Sequence, residues 1–231
     1  MFERERHRAM ARLLRRFEAD LLANCKCYFG GGSAIVMQLN EYRESVDLDF
    51  LCADLNGYRA LRNAIKPPTL GNLLREPVLY ARDVRTERDK VTAFVLIDDL
   101  PVKVEIILEA RISLSGDFDE RFGVPVLSTA DLYAEKLLAN ADRGLDRSTM
   151  SRDLIDLSMM MRSWGPIPAA AIQKVEVAYG ASALGSFDEG LGLLEDSVYR
   201  EECLRKMRMD PALSATIVET LRRHRPKPIL P

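Results

Sequence analysis

The sequence predicts an α+β chain, with a mixed α/β domain over residues 1–126 followed by a helical C-terminal domain over 127–231. Three observations carry this prediction. Several short segments before residue 110 alternate apolar and polar residues with a period of two. From Ser128 onward, Ser/Thr caps and helical periodicity replace that pattern. The chain has 231 residues, 47% of them hydrophobic, which suffices for one large core or two small ones.

The elements follow in order. Met10, Leu13, Leu14, Phe17 and Leu21 recur at helical spacing, so the first 22 residues predict one amphipathic helix. That stretch lacks an apolar core of signal-peptide length, and Glu3, Glu5, Glu18 and Asp20 are unlike an acid-poor transit peptide. CKCYF reads as a strand ending at Gly30, and 33–40 as a helix opening at Ser33. VDLDFL is a strand with Val46, Leu48 and Phe50 on one face and Asp47 and Asp49 on the other. GYRALRNAI predicts a helix stopped by Pro67 and Pro68. VLYARDV, VTAFVLI and PVKVEIILEA predict three strands, with Asp98-Asp99 turning between the last two. In the third, Val102, Val104, Ile106 and Leu108 share one face while Lys103 and Glu105 share the other. The DFD run at 117–119, between Gly116 and Glu120, reads as a solvated loop. STADLYAEKLLANADRG and SRDLIDLSMMMRSWG then predict two capped helices, with three more over 169–179, 190–206 and 211–223. The tail RRHRPKPILP reads as irregular, and Met159 to Met161 as core packing.

Charge and cysteines narrow the function classes. A net charge of −2 argues against a protein that coats nucleic acid by charge alone. Cys25, Cys27, Cys52 and Cys203 lack CxxC spacing, which argues against zinc and thioredoxin chemistry and for a reducing cytoplasm. No apolar run is long enough to span a bilayer, so the expectation is a soluble cytoplasmic protein. Gly30-x-Gly32 is followed by Ile35 where a dinucleotide fingerprint needs glycine, and there is no Walker GK[ST]. Two basic clusters, six arginines within the first sixteen residues and Arg222 to Lys227, read as a solvated helix face and a loose end, or as RNA-backbone contacts.

The chemistry concentrates between Gly30 and Phe50. Asp47 and Asp49 project from one strand face, roughly 7 Å apart by strand rise, and two ionised carboxylates that close repel unless a cation lies between them. Mg²⁺ or Mn²⁺ suits such a pair, with Glu105 as a third carboxylate from another strand. Gly31, Gly32 and Ser33 lead into a helix start whose bare N–H groups favour phosphate. Metal, triphosphate and helix end together describe phosphoryl or nucleotidyl transfer.

Gly32-Ser33, then thirteen residues, then Asp47-x-Asp49, then Glu105 in a strand resembles the DNA polymerase β-like nucleotidyltransferases. GGGSAI, YRESVDLDF, DLYAEKLLANADR and SRDLIDL resemble more narrowly the AbiEii/AbiGii nucleotidyltransferase toxins, over roughly residues 28–157. The resemblance implies a nucleotidyltransferase domain with a mixed sheet, a helical C-terminal domain and the nucleotide between them. It implies that Lys136 neutralises phosphate, that Asp153 and Asp156 point at nucleotide or acceptor, and that Glu105 ligates a second metal or deprotonates the attacking hydroxyl. It further implies an NTP substrate, an acceptor such as tRNA, a cognate antitoxin and a place in phage defence. Arg43 and Ser45, in the same run, either hold the loop before the strand or touch substrate. Two other readings stay open: a transferase that modifies a protein or a small molecule, and a non-catalytic nucleotide-binding module.

Overall fold

The computed structural model describes residues 2–180 and 182–229. Backbone contacts divide the chain into two units, Met1–Met37 with Ser45–Ser128, and Gln38–Glu44 with Thr129–Pro231. Composition gave no sign that 38–44 belongs with the second unit.

The first unit is built on one seven-stranded sheet: β1 (Cys27–Gly30), β2 (Asp47–Cys52), β3 (Leu79–Thr86), β4 (Lys90–Ile97), β5 (Leu100–Leu108), β6 (Gly116–Asp119) and β7 (Val124–Leu127). The strand order is β3-β4-β5-β2-β1-β7-β6. β2 runs parallel to β5 and β1 parallel to β7, while the other neighbours are antiparallel, giving a mixed sheet. Three helices accompany the N-terminal half of the sheet sequence, α1 (Glu5–Leu14), α2 (Ala19–Asn24) and α3 (Gly31–Gln38), and α4 (Leu55–Ala64) follows β2. The Asp98-Asp99 turn between β4 and β5 is tight, with both residues at positive φ.

Two expectations are corrected here. The single N-terminal helix is two helices, because Phe17 leaves the helical path to form a β-bridge with Leu74 and to pack on Phe50, 4.7 Å between ring centroids. Tertiary packing outweighs local periodicity at such a point. Asp117-Phe118-Asp119 is not a loop but edge strand β6, paired with β7 through Asp117–Val126 and Phe118–Pro125. Four residues with two aspartates carry too little alternation to signal a strand.

The core of the sheet follows from the pleat. Leu48 and Phe50 of β2, Val102, Val104 and Ile106 of β5, and Val91, Ala93 and Val95 of β4 are all buried. Phe17, Phe29, Phe50 and Phe122 form a connected aromatic cluster among them. The period of two then sends Asp47, Asp49, Lys103 and Glu105 to the opposite face.

The second unit is helical: α5 (Thr129–Arg143), α6 (Arg152–Trp164), α7 (Ala169–Tyr179), α8 (Ser182–Glu195), α9 (Ser197–Lys206) and α10 (Leu213–Arg223). The single helix expected over 190–206 is instead the end of α8 and all of α9. Asp196 divides them by capping α9, its carboxylate accepting from Val198 N–H at 2.9 Å. Gly185, Gly190 and Gly192 hid the first part of α8, since glycine disfavours helix interiors. Gly190 has a packing reason: a Cβ there would lie 3.1 Å from Asn140 Oδ1 and 3.2 Å from Leu154 Cδ2. Met160 and Met161 are buried, as core packing requires. Among the described residues, no helix is long and apolar enough to cross a membrane.

Candidate active site

The sheet register assembles the acidic face. β2 and β5 pair in parallel so that Asp47 lies beside Lys103 and Asp49 beside Glu105. β5 and β4 then place Phe94 beside Lys103 and Thr92 beside Glu105. β4 and β3 complete two rows, with Arg82 beside Phe94 and Arg85 beside Thr92. The face therefore carries Arg82–Phe94–Lys103–Asp47 in one row and Arg85–Thr92–Glu105–Asp49 in the next.

At the Asp49 end, β1 places Gly30 beside Asp49, and α3 starts at the next residue. Gly31 has φ +65°, and a Cβ there would collide with the Asp49 carboxylate. The glycine is thus required both by its backbone and by the carboxylate pressed against the helix start. First-turn N–H groups of a helix have no intrahelical acceptor, so this corner offers donors beside a carboxylate.

Ser33 is buried, and its hydroxyl is used internally. It donates to the carbonyl oxygen of Asp47 and shares a 2.7 Å hydrogen bond with Ser45 Oγ. Ser45 N–H in turn donates to His7 Nε2 at 3.0 Å, which gives the buried His7 a structural task. Ser33 therefore brings its backbone N–H to the helix start, while its side chain fixes the beginning of β2.

Glu105 is only 9% exposed, against the solvent-facing position an ordinary strand glutamate would take. Lys90 Nζ lies 2.5 Å from Oε1 and Lys103 Nζ 2.9 Å from Oε2. Burial pushes the carboxyl up, but the hydrogen bonds and charge of the two lysines prevail, so Glu105 lies below the ordinary glutamate value. Lys103 also approaches Asp47 Oδ2 at 3.7 Å.

The donor set suits a divalent cation of hard character, since Asp47 and Asp49 offer only carboxylate oxygen. Among the described residues, no group of three or more His, Cys, Asp or Glu side chains is arranged to hold a metal. A cation there would rest on the two aspartates and need further oxygens from outside the protein. Glu105 faces its two lysines.

The remaining expected site residues lie in the second unit and face one another. Lys136 Nζ, on α5, lies 2.8 Å from Asp153 Oδ1 and 2.6 Å from Asp156 Oδ2, both on α6. Arg43 clamps Asp156 through Nε at 2.7 Å and Nη2 at 2.8 Å, and Tyr42 donates its hydroxyl to Asp156 Oδ1 at 2.5 Å. Arg143 forms the matching fork on Asp153, at 2.7 and 3.0 Å. Lys136, Asp153 and Asp156 are all buried. Burial opposes ionisation of Asp153 and Asp156, yet Lys136 with Arg143, and Arg43 with Lys136, hold both carboxyls below the ordinary aspartate range. Burial and the Asp156 charge push the Tyr42 hydroxyl well above its ordinary value. Arg43 is the residue whose part here sequence reasoning underweighted. Its bidentate partner lies 113 positions away, so no local spacing could announce it.

Compared with known proteins, residues 12–228 match the family model described as "Nucleotidyl transferase AbiEii toxin, Type IV TA system". No curated protein matches the chain. Among solved structures, a candidate nucleotidyltransferase from H. pylori is similar with TM-score 0.53 and 14% identity, covering 95% of this chain and 93% of that one. JHP933 from Helicobacter pylori is similar with TM-score 0.50 and 18% identity, covering 95% and 90%. At these identities the likeness speaks for the fold.

Proposed function

This chain belongs to the AbiEii family of nucleotidyltransferase toxins, and we propose that it transfers a nucleotide from an NTP to an acceptor in its own cell. The observation that carries the proposal is the contiguity of Asp47 and Asp49 with the glycine start of α3, where the Gly31 backbone abuts the Asp49 carboxylate. Backbone N–H groups of the kind that bind phosphate thus stand beside carboxylates of the kind that bind a divalent cation.

Gly31, Gly32 and Ser33 would hold the triphosphate through backbone N–H groups, and Asp47 and Asp49 would hold Mg²⁺ or Mn²⁺. When bound, the cation would withdraw charge from the phosphate oxygens. Glu105 would orient the acceptor hydroxyl and receive its proton. The acceptor oxygen forms its bond to the α-phosphorus as the bond from that phosphorus to the bridging oxygen breaks, and pyrophosphate leaves. Lys136, Asp153 and Asp156 would serve the reaction by fixing 38–44, the segment that joins α3 to β2 in sequence. Direct contact of Lys136 with phosphate would require it to exchange its aspartates for the nucleotide.

We further propose that the acceptor is a tRNA-like RNA, that a cognate antitoxin restrains the enzyme, and that the pair acts in the cytoplasm in phage defence. What supports this is the family's toxin–antitoxin character. The test supplies each of the four α-³²P-labelled NTPs with Mg²⁺ or Mn²⁺ to total cell RNA and protein, beside the Asp49→Ala variant. Label in small RNA that disappears with Asp49→Ala is the expected result. Label in protein would favour the protein-modifying alternative, and NTP binding with no label in any fraction would favour a non-catalytic module.

A further inference from the structure

We infer that the open face of β3 and β4 beside Glu105 is where the acceptor lies, and that it takes a single-stranded nucleic-acid end by its phosphates and one stacked base. This rests on the nucleotidyl-transfer reading and extends it from the donor to the acceptor.

Direction comes first. In-line displacement requires the attacking oxygen and the leaving pyrophosphate on opposite sides of the α-phosphorus. Across the sheet, the phosphate donors belong to the α3 start, which follows β1; the aspartates stand on β2; Glu105 stands on β5; β4 and β3 lie beyond. With pyrophosphate at the β1 side, an acceptor that approaches across the sheet comes from the β4–β3 side.

Chemistry then says what fits there. A cavity of about 270 Å³ opens on this face, lined chiefly by Arg82, Arg85, Lys90, Phe94, Lys103 and Glu105. Lys90 and Lys103 neutralise Glu105, whereas Arg82 and Arg85 are exposed and make no ion pair among the described residues. Asp83 and Glu87 border the groove and set a limit on its positive charge. Arg82 Cζ lies 3.5 Å from the Phe94 ring centroid, so a guanidinium plane is held against an aromatic face. Such a plane stacks a base, and a planar fork binds phosphate bidentately. The two rows of the sheet lead from these arginines to Asp47 and Asp49.

The experiment uses the full chain and a fluorescent twelve-nucleotide single-stranded RNA with a free 3′ hydroxyl. Binding is titrated in EDTA without NTP, over a series of salt concentrations, so that no catalysis is needed. NTP binding is measured separately by equilibrium dialysis. Arg82→Glu/Arg85→Glu is expected to weaken RNA binding on the order of tenfold or more, with NTP affinity kept. The salt dependence should also flatten, by about 0.7 in log–log slope for each phosphate the variant no longer neutralises. Arg82→Gln/Arg85→Gln should lie between, and circular dichroism checks the fold. Unchanged RNA affinity in the charge-reversed variant overturns the inference. So does a fall in NTP affinity alone, which would give the groove to the nucleotide. RNA that fails to bind the parent at low salt, with label entering protein, overturns it in favour of a protein acceptor. If RNA binding depends on the arginines but the parent transfers no label, the groove stands and the transfer reading fails.

Discussion

At the residue scale, two side chains decide how the acidic face behaves. Lys103 already stands between carboxylates, 2.9 Å from Glu105 and 3.7 Å from Asp47. A divalent cation arriving at Asp47 meets a like charge a few ångströms away, a repulsion of roughly 8 kcal/mol at an effective dielectric of 20 before solvent screening reduces it. Lys103→Met should therefore raise Mn²⁺ affinity several-fold, read by electron paramagnetic resonance titration of the NTP-free protein; equal or weaker binding would show that Lys103 does not compete with the metal. Gly31 is the second. Its positive φ and the adjacent Asp49 carboxylate leave no space for a side chain. Gly31→Ala should therefore cost about 1 kcal/mol or more of stability and lower NTP affinity with it. A chemical denaturation curve and a nucleotide titration matching the parent would contradict that. Much of this was legible in the sequence, because strand alternation alone puts Asp47 with Asp49 and Lys103 with Glu105. The side-by-side rows were not, because register depends on which strands are neighbours. The internal use of the Ser33 hydroxyl was equally hidden, since its partners Ser45 and Asp47 become neighbours only when β2 is in place.

At the element scale, α5 and α6 are joined by a network of Lys136, Arg143, Asp153 and Asp156, and Arg43 enters it from 38–44. The sequence made Asp153 and Asp156 neighbours on one helix face, which is how they sit. Arg143 is a partner of Asp153, while Arg43 and Lys136 take Asp156. Removing one member of a buried pair strands the other charge, at about 3–5 kcal/mol. Asp156→Asn should therefore destabilise the protein by several kcal/mol at neutral pH, and a loss below about 1 kcal/mol would show the network to be dispensable. The pH dependence has a fixed sign. Both carboxyls are depressed in the folded state, so their contribution is fully present above the unfolded value of about 4 and is lost as pH falls through the folded values. The stability gap between parent and Asp156→Asn should narrow in urea titrations below about pH 4, and a gap that widened there would contradict the assignment. Elements missed from sequence share one cause. β6 is too short and α8 too rich in glycine for periodicity to speak, and both are secured by packing against neighbours.

At the scale of the whole molecule, the candidate nucleic-acid surface sets two exposed arginines, Arg82 and Arg85, in a groove beside the acidic face. The basic ends of the sequence, which invite an RNA reading, are largely tied to the protein's own acids and carbonyls. Arg12 pairs with Asp98, Arg15 donates to the Arg121 carbonyl at 2.9 Å, Arg222 pairs with Glu195 at 2.5 Å, and Arg225 pairs with Asp188. Replacing Arg222, Arg223 and Arg225 by glutamine should change affinity for the same twelve-nucleotide RNA less than about threefold, since each is already engaged by an acid of the protein. A loss as large as that of Arg82→Glu/Arg85→Glu would move the nucleic-acid surface to the C-terminal tail. The central claim for the molecule is that the Asp47–Asp49 strand and the glycine start of α3 form one centre that splits an NTP at its α-phosphorus. The most direct measurement is pyrophosphate release from NTP by the full chain, with Mg²⁺ and small RNA present, for the parent and for Asp49→Asn with its fold verified. Release by the parent with a loss of at least about a hundredfold in Asp49→Asn is the predicted result. Equal release by the two proteins would contradict the account.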